Sequence, residues 1–264
     1  MLLRPRWRKV LKDLWGNKAR TMLVVASIAV GVFAIGVIVG TYMMLREDLN
    51  RSYAASNPAN IALMTMPFKT EVADAIRRMD RVQDVEGYRE VNVRLQTGPE
   101  AWDTLRLIAY PDYEAREIYQ LLSPQGASAP DDYELILEHK TMESLGTFIG
   151  DTLQVELPDG TQRQLTVVGA GVDQSDIYDI ILGEYRGYIS LDTLAWLHQP
   201  LSMNHLYVTV AAHPNDKAHI QQIATEVTDR LEKSGIAVYR TELSLKDEHP
   251  LDSIIQAVLM VLII

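Results

Sequence analysis

The 264-residue sequence contains no cysteine, which excludes a disulfide-stabilised fold and a thiolate metal site. It has no excess of basic residues either. The formal charge of −10 argues against a general nucleic-acid binder, because phosphates require a basic surface. Hydrophobic residues are not scarce, at 47% of the chain, so the composition is not that of a disordered protein. These averages describe an acidic globular protein of one or two domains.

A further absence is local, because residues 21–45 contain no Asp, Glu, Lys or Arg. Residues 1–20 carry a net charge of +6, and residues 46–264 carry −16. A basic block, an uncharged apolar block and an acidic block in this order indicate a membrane protein. The positive-inside rule places its N-terminus in the cytoplasm, so residues 46–249 are predicted to be extracytoplasmic.

The uncharged segment 21–45 is predicted to be one full transmembrane helix. As a helix its residues would extend about 37 Å, enough for a hydrocarbon core of about 30 Å. A cleaved signal peptide and a buried helix of a soluble protein are the alternatives. The first has a shorter apolar region, and the second seldom lacks charge over this length. Two small-xxx-small pairs would let another helix pack closely. These helix-packing residues are Ser27, Gly31, Gly36 and Gly40.

The basic segment 1–20 is predicted to be an amphipathic helix on the cytoplasmic membrane surface, with a disordered basic tail as the alternative. Its apolar residues recur with helical spacing. They are Trp7, Val10, Leu11, Leu14 and Trp15. Four basic residues are candidates for contact with anionic lipid or with an ATPase. These are Arg6, Arg8, Lys9 and Lys12.

The last residues, 250–264, form a second apolar stretch. Pro250 is a favourable helix start, because its missing N–H would be unpaired there in any case. The apolar run from Ile254 is too short to cross a bilayer. We predict the start of a second, truncated transmembrane helix, which would make the acidic region an insert between two spans. A buried C-terminal helix of a soluble domain is the alternative.

The region between the apolar stretches predicts an α+β fold, because strand–helix–strand patterns occur near both of its ends. Residues 46–110 and 204–249 are therefore predicted to form one αβ lobe, which includes a helix between Asp216 and Gly235. Residues 111–203 are predicted to form an inserted β-rich lobe. It contains a hairpin around Asp159-Gly160 and, by composition, a flexible loop over residues 123–130.

The sequence offers no residues on which to base an enzymatic function. It has no phosphate-binding loop and no nucleophile elbow. Gly169 and Gly171 begin like a dinucleotide fingerprint, but Gln174 occupies the third glycine position. No histidines have metal-ligand spacing, so all are predicted to be surface or helix-end residues. They are His139, His198, His205, His213, His219 and His249. We predict no catalytic residue and no cofactor or metal ion bound by this chain.

Carboxylates are most closely spaced in residues 173–184. Asp173, Asp176 and Asp179 recur at every third position, and Glu184 follows them. Such a cluster could attract a cation, but it lacks the alternating Asp/Asn and Gly of a calcium loop. A solvated acidic loop is the preferred interpretation.

Three stretches of the sequence resemble the MacB/FtsX-type permeases of ABC transporters. Residues 14–21 (LWGNKART), with the Gly/Ala-rich run that follows, are similar to the entry into the first helix of these permeases. Residues 145–169 resemble the "GD…DG…VVG" hairpin of the family's periplasmic core domain, through Gly150-Asp151, Asp159-Gly160 and Gly169. Residues 205–243 resemble the closing strand–helix–strand of that domain.

The resemblance implies a porter-like αβ lobe with an inserted β-rich, sabre-like lobe between transmembrane helices one and two. It implies a permease subunit in a bacterial inner membrane, which couples ATP hydrolysis to movement of its extracytoplasmic domain for export or extraction of a substrate. The ATP and Mg²⁺ would be bound by a partner ABC ATPase. The other implied partners are the lipid bilayer, a second permease copy or homologue in a dimer, and, in MacB-like members, an extracytoplasmic adaptor protein.

The alternative function is a membrane-anchored extracytoplasmic binding or sensor module without transport activity. The sensor hypothesis predicts a gene that ends near residue 264 or encodes one further span. The permease hypothesis predicts at least three spans and an ATPase gene nearby. A membrane-anchored hydrolase is a third possibility, but it would need a convergent catalytic pocket.

Overall fold

The computed structural model describes residue 16, residues 18–175 and residues 183–263. The chain divides into two compact units, Met1–Leu49 with Ile255–Ile264, and Asn50–Ile254. The helices are α1 (Lys18–Ala55), α2 (Thr70–Arg77), α3 (His139–Leu145), α4 (Leu191–Trp196), α5 (Lys217–Lys233) and α6 (Leu251–Ile263). The strands are β1 (Ile61–Phe68), β2 (Val82–Gln96), β3 (Trp102–Ala109), β4 (Leu122–Gly126), β5 (Glu134–Glu138), β6 (Thr152–Glu156), β7 (Gln162–Val172), β8 (Tyr185–Ile189), β9 (Met203–Val210) and β10 (Val238–Leu243).

Helix α1 contains the whole predicted span 21–45 and continues through ten more residues to Ala55. It is long and apolar enough to cross a membrane, and its apolar side chains are exposed. A helix suits this environment because every interior backbone group is bonded within the segment. Helix α6 has 13 residues, so its role as the beginning of a second span stays a prediction.

The ten strands form one connected sheet in the order β10-β1-β9-β2-β3-β8-β5-β7-β4, and β6 pairs with both β2 and β7. The pairings β3–β8 and β5–β7 are parallel, and the others are antiparallel. Because β6 joins β7 back to β2, six strands close into a ring: β2, β3, β8, β5, β7 and β6. Closure removes free strand edges from this part of the fold.

Strand β2 belongs to both parts of the sheet. Its first half, to Tyr88, pairs with β9, and its second half, from Arg89, pairs with β3. The division into lobes at residues 110 and 204 remains a prediction. The pairing nevertheless places β3 and the second half of β2 with the strands of residues 111–203. The alternation of buried positions in β2 is interrupted at this point, because Gly87 and Tyr88 are both buried and Arg89 and Glu90 are both half-buried.

Two aliphatic cores stabilise the unit Asn50–Ile254. Helices α2 and α5 pack on one face of β1 and β9, where alternate strand residues such as Ile61 and Leu63 are buried. Helix α5 contributes the predicted stripe. Its buried residues are Ile220, Ile223, Ala224, Val227 and Leu231. The second core fills the ring with Leu, Val and Ile side chains from its strands and from α4. Burial of such side chains stabilises by about 1.5–3 kcal/mol each.

Two local predictions can be compared directly with the structure. The hairpin around Asp159-Gly160 is confirmed: β6 pairs with β7, and Gly160 adopts a φ of 81° in the turn. The flexible loop predicted for residues 123–130 is wrong in its first part, because residues 122–126 form β4 against β7. Gly169 permits this approach, since a Cβ there would lie 2.5 Å from the Ala127 carbonyl oxygen. The glycines of the incomplete dinucleotide motif thus serve strand packing.

Candidate functional site

The two connections to the apolar helices lie side by side in the unit Asn50–Ile254. Asn50, in the last turns of α1, accepts a hydrogen bond at Oδ1 from the backbone N–H of His249 at 2.8 Å. Tyr53, one turn further along α1, is fully buried, and its ring centroid lies 5.0 Å from that of His249 in an edge-on contact. Helix α6 begins two residues after His249. The end of α1 and the start of α6 are therefore held together by direct contacts.

His249 supports the first turn of α6 as a neutral imidazole. Its Nδ1 accepts a hydrogen bond from the Leu251 N–H at 3.1 Å, which requires an unprotonated Nδ1. Burial lowers the pKa of His249, although the nearby Asp252 acts in the opposite direction. The neutral form is therefore favoured near neutral pH. This histidine does lie at a helix end, as predicted, but it is almost fully buried.

The side chain of Asn60 links the loops next to the contact between α1 and His249. Asn60 is fully buried; its Nδ2 donates to the carbonyl oxygens of Pro214 at 2.8 Å and Ser244 at 3.2 Å. Its Oδ1 accepts from the Val210 N–H at 3.1 Å. An amide carries both donors and acceptors, so one side chain can satisfy backbone groups from three segments. We call the assembly of residues 50–60, 210–216 and 244–252 the junction.

A cluster of tyrosines extends from the junction into the domain. Seven of the 12 tyrosines of the sequence belong to it: Tyr53, Tyr88, Tyr110, Tyr113, Tyr119, Tyr188 and Tyr207. The cluster lies on the face of β9 and β2 opposite α2 and α5, and the segment 110–121 contributes three of its tyrosines. Ring contacts are worth about 0.5–1.5 kcal/mol each beyond the burial of their area. These tyrosines were not predicted as site residues, although the excess of 12 tyrosines over three phenylalanines was an available signal.

Buried charges hold the segment 110–121 against the sheet. The guanidinium of Arg116 lies 4.4 Å from the ring centroid of Tyr110 and 5.4 Å from that of Tyr188, and it donates to the carbonyl oxygens of Ile118 and Tyr119. Burial alone would lower the pKa of Arg116, but the surrounding tyrosines and Asp173 outweigh that effect and keep it charged. Arg116 is thus a buried cation satisfied by aromatic faces and carbonyls.

Asp173 is the buried anion of the same region, so the predicted solvated acidic loop is wrong for this residue. It pairs with Arg186, whose Nη1 lies 2.7 Å from Oδ2, and it accepts hydrogen bonds from Tyr188 and Ser175. Burial alone would raise the pKa of Asp173, but Arg186 and Arg116 outweigh it, and the pKa is lowered. The carboxylate is buried because these partners compensate it, which spacing along the sequence does not reveal.

An open cleft of about 330 Å³ lies beside the tyrosine cluster on the helix-free face of the sheet. Its floor includes Met64, His205 and Tyr207. The charged residues around it form pairs of opposite sign, Arg106 with Glu90 and Glu184, and Arg240 with Glu242 at 3.2 Å. Burial, together with nearby arginines, lowers the pKa of His205 to about 4, so the imidazole is neutral near pH 7. Arg186 also lines the cleft, so three arginines balance three glutamates.

The remaining predicted site residues can be located only in part. Arg6, Arg8, Lys9 and Lys12, like Asp176 and Asp179, lie outside the described residues. In α1, nothing lies within 4 Å of a Cβ built at Gly31, Gly36 or Gly40. The hydroxyl of Ser27 donates to the Val24 carbonyl at 2.8 Å. Among the described residues, no group of three His, Asp or Glu is arranged to hold a metal ion.

Comparison with known proteins identifies the family. The profile of the MacB-like periplasmic core domain matches residues 21–230. No curated protein sequence matches the chain. This domain occurs in transporter permeases, which are generally not enzymes.

Three of the solved structures that match the chain are domains of a transporter or a permease. The extracellular domain of the ABC-type transporter YknZ from Gram-positive bacteria has a TM-score of 0.46 at 14% identity. The match covers 68% of this chain and 99% of the YknZ domain. The periplasmic region of MacB from Actinobacillus actinomycetemcomitans has a TM-score of 0.48 at 11% identity, covering 78% and 95%. A permease domain from Porphyromonas gingivalis has a TM-score of 0.41 at 12% identity, covering 71% and 90%.

Proposed function

We propose, from the premise that this chain belongs to the MacB-like periplasmic core domain family, that it acts as a permease subunit of an ABC transporter. Its apolar helix would anchor it in a bacterial inner membrane, with the N-terminus in the cytoplasm and the unit Asn50–Ile254 outside. A partner ATPase would bind ATP and Mg²⁺, and a second permease copy or homologue would complete a dimer. Movement of the outer domain would then drive export or extraction of a substrate.

The observation that carries the proposal is the continuity of α1. A single helix runs from the uncharged segment into the folded unit, where Tyr53 is fully buried. An uninterrupted helix transmits displacement along its axis, because each turn is bonded to the next. A receptor that needs only an anchor could use a flexible tether instead. The continuous helix is therefore better suited to transport coupling than to simple anchoring.

The junction would deliver this displacement to the domain. Asn50 and Tyr53 contact His249, so movement of α1 would also move the start of α6. Asn60 would carry it to β9 and to the segment before α5 through its hydrogen bonds to Val210 and Pro214. The role of this chain is thus mechanical: its residues bind one another and move, and they carry out no chemical step. On the cytoplasmic side, Arg6, Arg8, Lys9 and Lys12 are proposed to contact anionic lipid or the ATPase.

The orientation can be tested because the chain has no cysteine of its own. A single cysteine in the Phe148→Cys variant should react with a membrane-impermeant maleimide in intact spheroplasts, since Phe148 is 71% exposed. A single cysteine in the Lys12→Cys variant should react only after the membrane is permeabilised. The measurement is the fraction of protein labelled on a gel. Reaction of Lys12→Cys in intact spheroplasts, or protection of Phe148→Cys, would contradict the proposed topology.

The coupling role can be tested by breaking α1 between the span and the domain. The Asp48→Pro variant removes a helical hydrogen bond and introduces a steric clash, at a cost of about 3 kcal/mol. We expect the stimulation of the partner ATPase in the reconstituted transporter to fall about tenfold, within the range typical of coupled sites.

The matched control for the helix break is Asp48→Ala, which removes the same exposed side chain and keeps the helix intact. It should retain normal stimulation. Both variants should insert into the membrane to the same extent and show the same labelling in the Phe148→Cys background. Equal ATPase stimulation of the proline and alanine variants would refute coupling through α1.

A further inference from the structure

We propose that four tyrosines in successive ring contact, Tyr53, Tyr119, Tyr207 and Tyr88, form the path by which displacement of α1 reaches the cleft on the helix-free face of the sheet. We call these residues the tyrosine path. They are positioning residues: each fixes the place of the next. The inference deepens the proposed function, since it names the route that motion takes beyond the junction, and it rests on α1 being the moving element.

The rings contact one another without a gap. The centroid of Tyr53 lies 6.3 Å from that of Tyr119, Tyr119 lies 4.9 Å from Tyr207, and Tyr207 lies 4.8 Å from Tyr88. All four side chains are at least 93% buried. Protein interiors of this kind are close-packed, so one ring cannot move without displacing its neighbour.

Hydroxyl groups link the rings in pairs. The hydroxyl oxygens of Tyr53 and Tyr119 are 3.3 Å apart, and the Tyr88 hydroxyl donates to that of Tyr207 at 3.0 Å. Phenylalanine would fill nearly the same volume without these bonds. The hydroxyl pairs fix the position of each ring relative to its partner. The aliphatic side chains on the opposite face of the sheet have no such directional contacts.

Both ends of the tyrosine path lie where the proposal requires them. Tyr53 is part of α1 and contacts His249 at the junction. At the other end, Tyr88 stacks on His205 with a centroid distance of 4.9 Å and an interplanar angle of 16°. Tyr88, Tyr207 and His205 all line the cleft. Four rings therefore connect the helix to the cleft.

The intermediate ring, Tyr119, is held in place by independent contacts. It has a φ of 48°, a conformation that residues other than glycine rarely adopt and that surrounding contacts must maintain. Arg116 donates to its carbonyl oxygen, and the carboxylate of Glu86 accepts from the Glu117 and Ile118 N–H groups at 2.5 and 2.7 Å. Since its backbone is fixed from both sides, Tyr119 cannot absorb a displacement of Tyr53 by local relaxation.

Hydrogen exchange of the full chain in lipid nanodiscs tests the path directly. In the Tyr53→Leu variant, we expect amide exchange in residues 86–91 and 203–208 to accelerate about five- to tenfold, as for typical coupling between sites. Exchange in the β6–β7 hairpin, residues 152–167, should not change. The milder Tyr53→Phe variant keeps the ring and loses one hydroxyl pair, so it should give a smaller change at the same positions.

Two controls separate a path from general destabilisation. Tyr133→Leu removes a half-exposed tyrosine that packs on Trp196, outside the path, and it should leave residues 86–91 unchanged. In a Tyr207→Leu background, Tyr53→Phe should no longer change amide exchange in residues 86–91, because the ring that connects Tyr119 to Tyr88 is gone. Acceleration confined to the junction, equal acceleration in the β6–β7 hairpin, or an undiminished effect in the Tyr207→Leu background would each overturn the proposal.

This experiment needs no ATPase, so its result is independent of the transport assignment. Failure of the exchange test with normal coupling in the Asp48→Pro experiment removes the tyrosine path and leaves the permease function intact. The reverse pattern, with transmission through the rings but no coupling to the ATPase, removes the proposed function and keeps the path.

Discussion

Replacing Asp173 with alanine should lower the free energy of unfolding by about 3–5 kcal/mol, because it removes a buried carboxylate that pairs with the buried guanidinium of Arg186. Both side chains are at most 4% exposed, so water cannot replace the missing partner. Urea denaturation of the full chain in detergent, followed by near-ultraviolet circular dichroism of the buried tyrosines, measures the loss. A decrease below about 1 kcal/mol would show that the pair contributes little.

Two matched variants define the origin of that effect. Glu184→Ala removes a carboxylate that pairs with Arg106 but is 41% exposed, and it should cost at most about 1 kcal/mol. The double variant Asp173→Leu/Arg186→Met removes both charges and should recover much of the stability lost in Asp173→Ala. The lowered pKa of Asp173 also sets the pH dependence: its contribution is present at neutral pH and is lost as pH falls below about 4.

Replacing Asn60 with alanine should lower the free energy of unfolding by about 3 kcal/mol. The buried Val210 N–H would lose its partner, which costs about 1–3 kcal/mol. The part-buried carbonyl groups of Pro214 and Ser244 would each lose a hydrogen bond worth about 0.5–1.5 kcal/mol. The same urea titration measures this change. The effect should also be local, with faster hydrogen exchange in residues 210–216 and 244–252.

Asn92 provides the control for this substitution. It is an exposed asparagine of β2, so Asn92→Ala should change the stability by less than about 0.5 kcal/mol. Asn60→Asp keeps the acceptor for Val210 but places a buried carboxylate oxygen against the carbonyl oxygens of Pro214 and Ser244, so it should be at least as destabilising as Asn60→Ala. Equal stability of the Asn60 and Asn92 alanine variants would refute the structural role assigned to Asn60.

Regular periodic patterns made several elements predictable from the sequence. The apolar stripe of α5 and its boundaries at Asp216 and Gly235 follow from spacing and capping, and the structure confirms them: the Asp216 side chain caps the helix and Gly235 adopts a φ of 79°. The long helix of α1 was predictable because an uncharged apolar run of this length is typical of a membrane span and rare in soluble folds.

The features that position the candidate site depend on contacts between distant residues. Asp173 and Arg186 form a buried pair only after β7 and β8 are placed in the ring, and no local pattern distinguishes Asp173 from a solvated aspartate. The tyrosine path likewise combines residues from α1, the segment 110–121, β2 and β9. Pairing across such sequence distances is a property of the topology, which local spacing does not determine.

Strand β2 also limits how this domain can be divided. Its 15 residues pass from the four-stranded part of the sheet into the ring without an intervening loop. A chimera that exchanges only the ring with a relative would have to be spliced inside a paired strand, where a shift of one residue reverses the face of every side chain beyond it. Chimeras between family members should therefore exchange residues 50–254 as a whole, because neither the four-stranded part nor the ring can be exchanged alone.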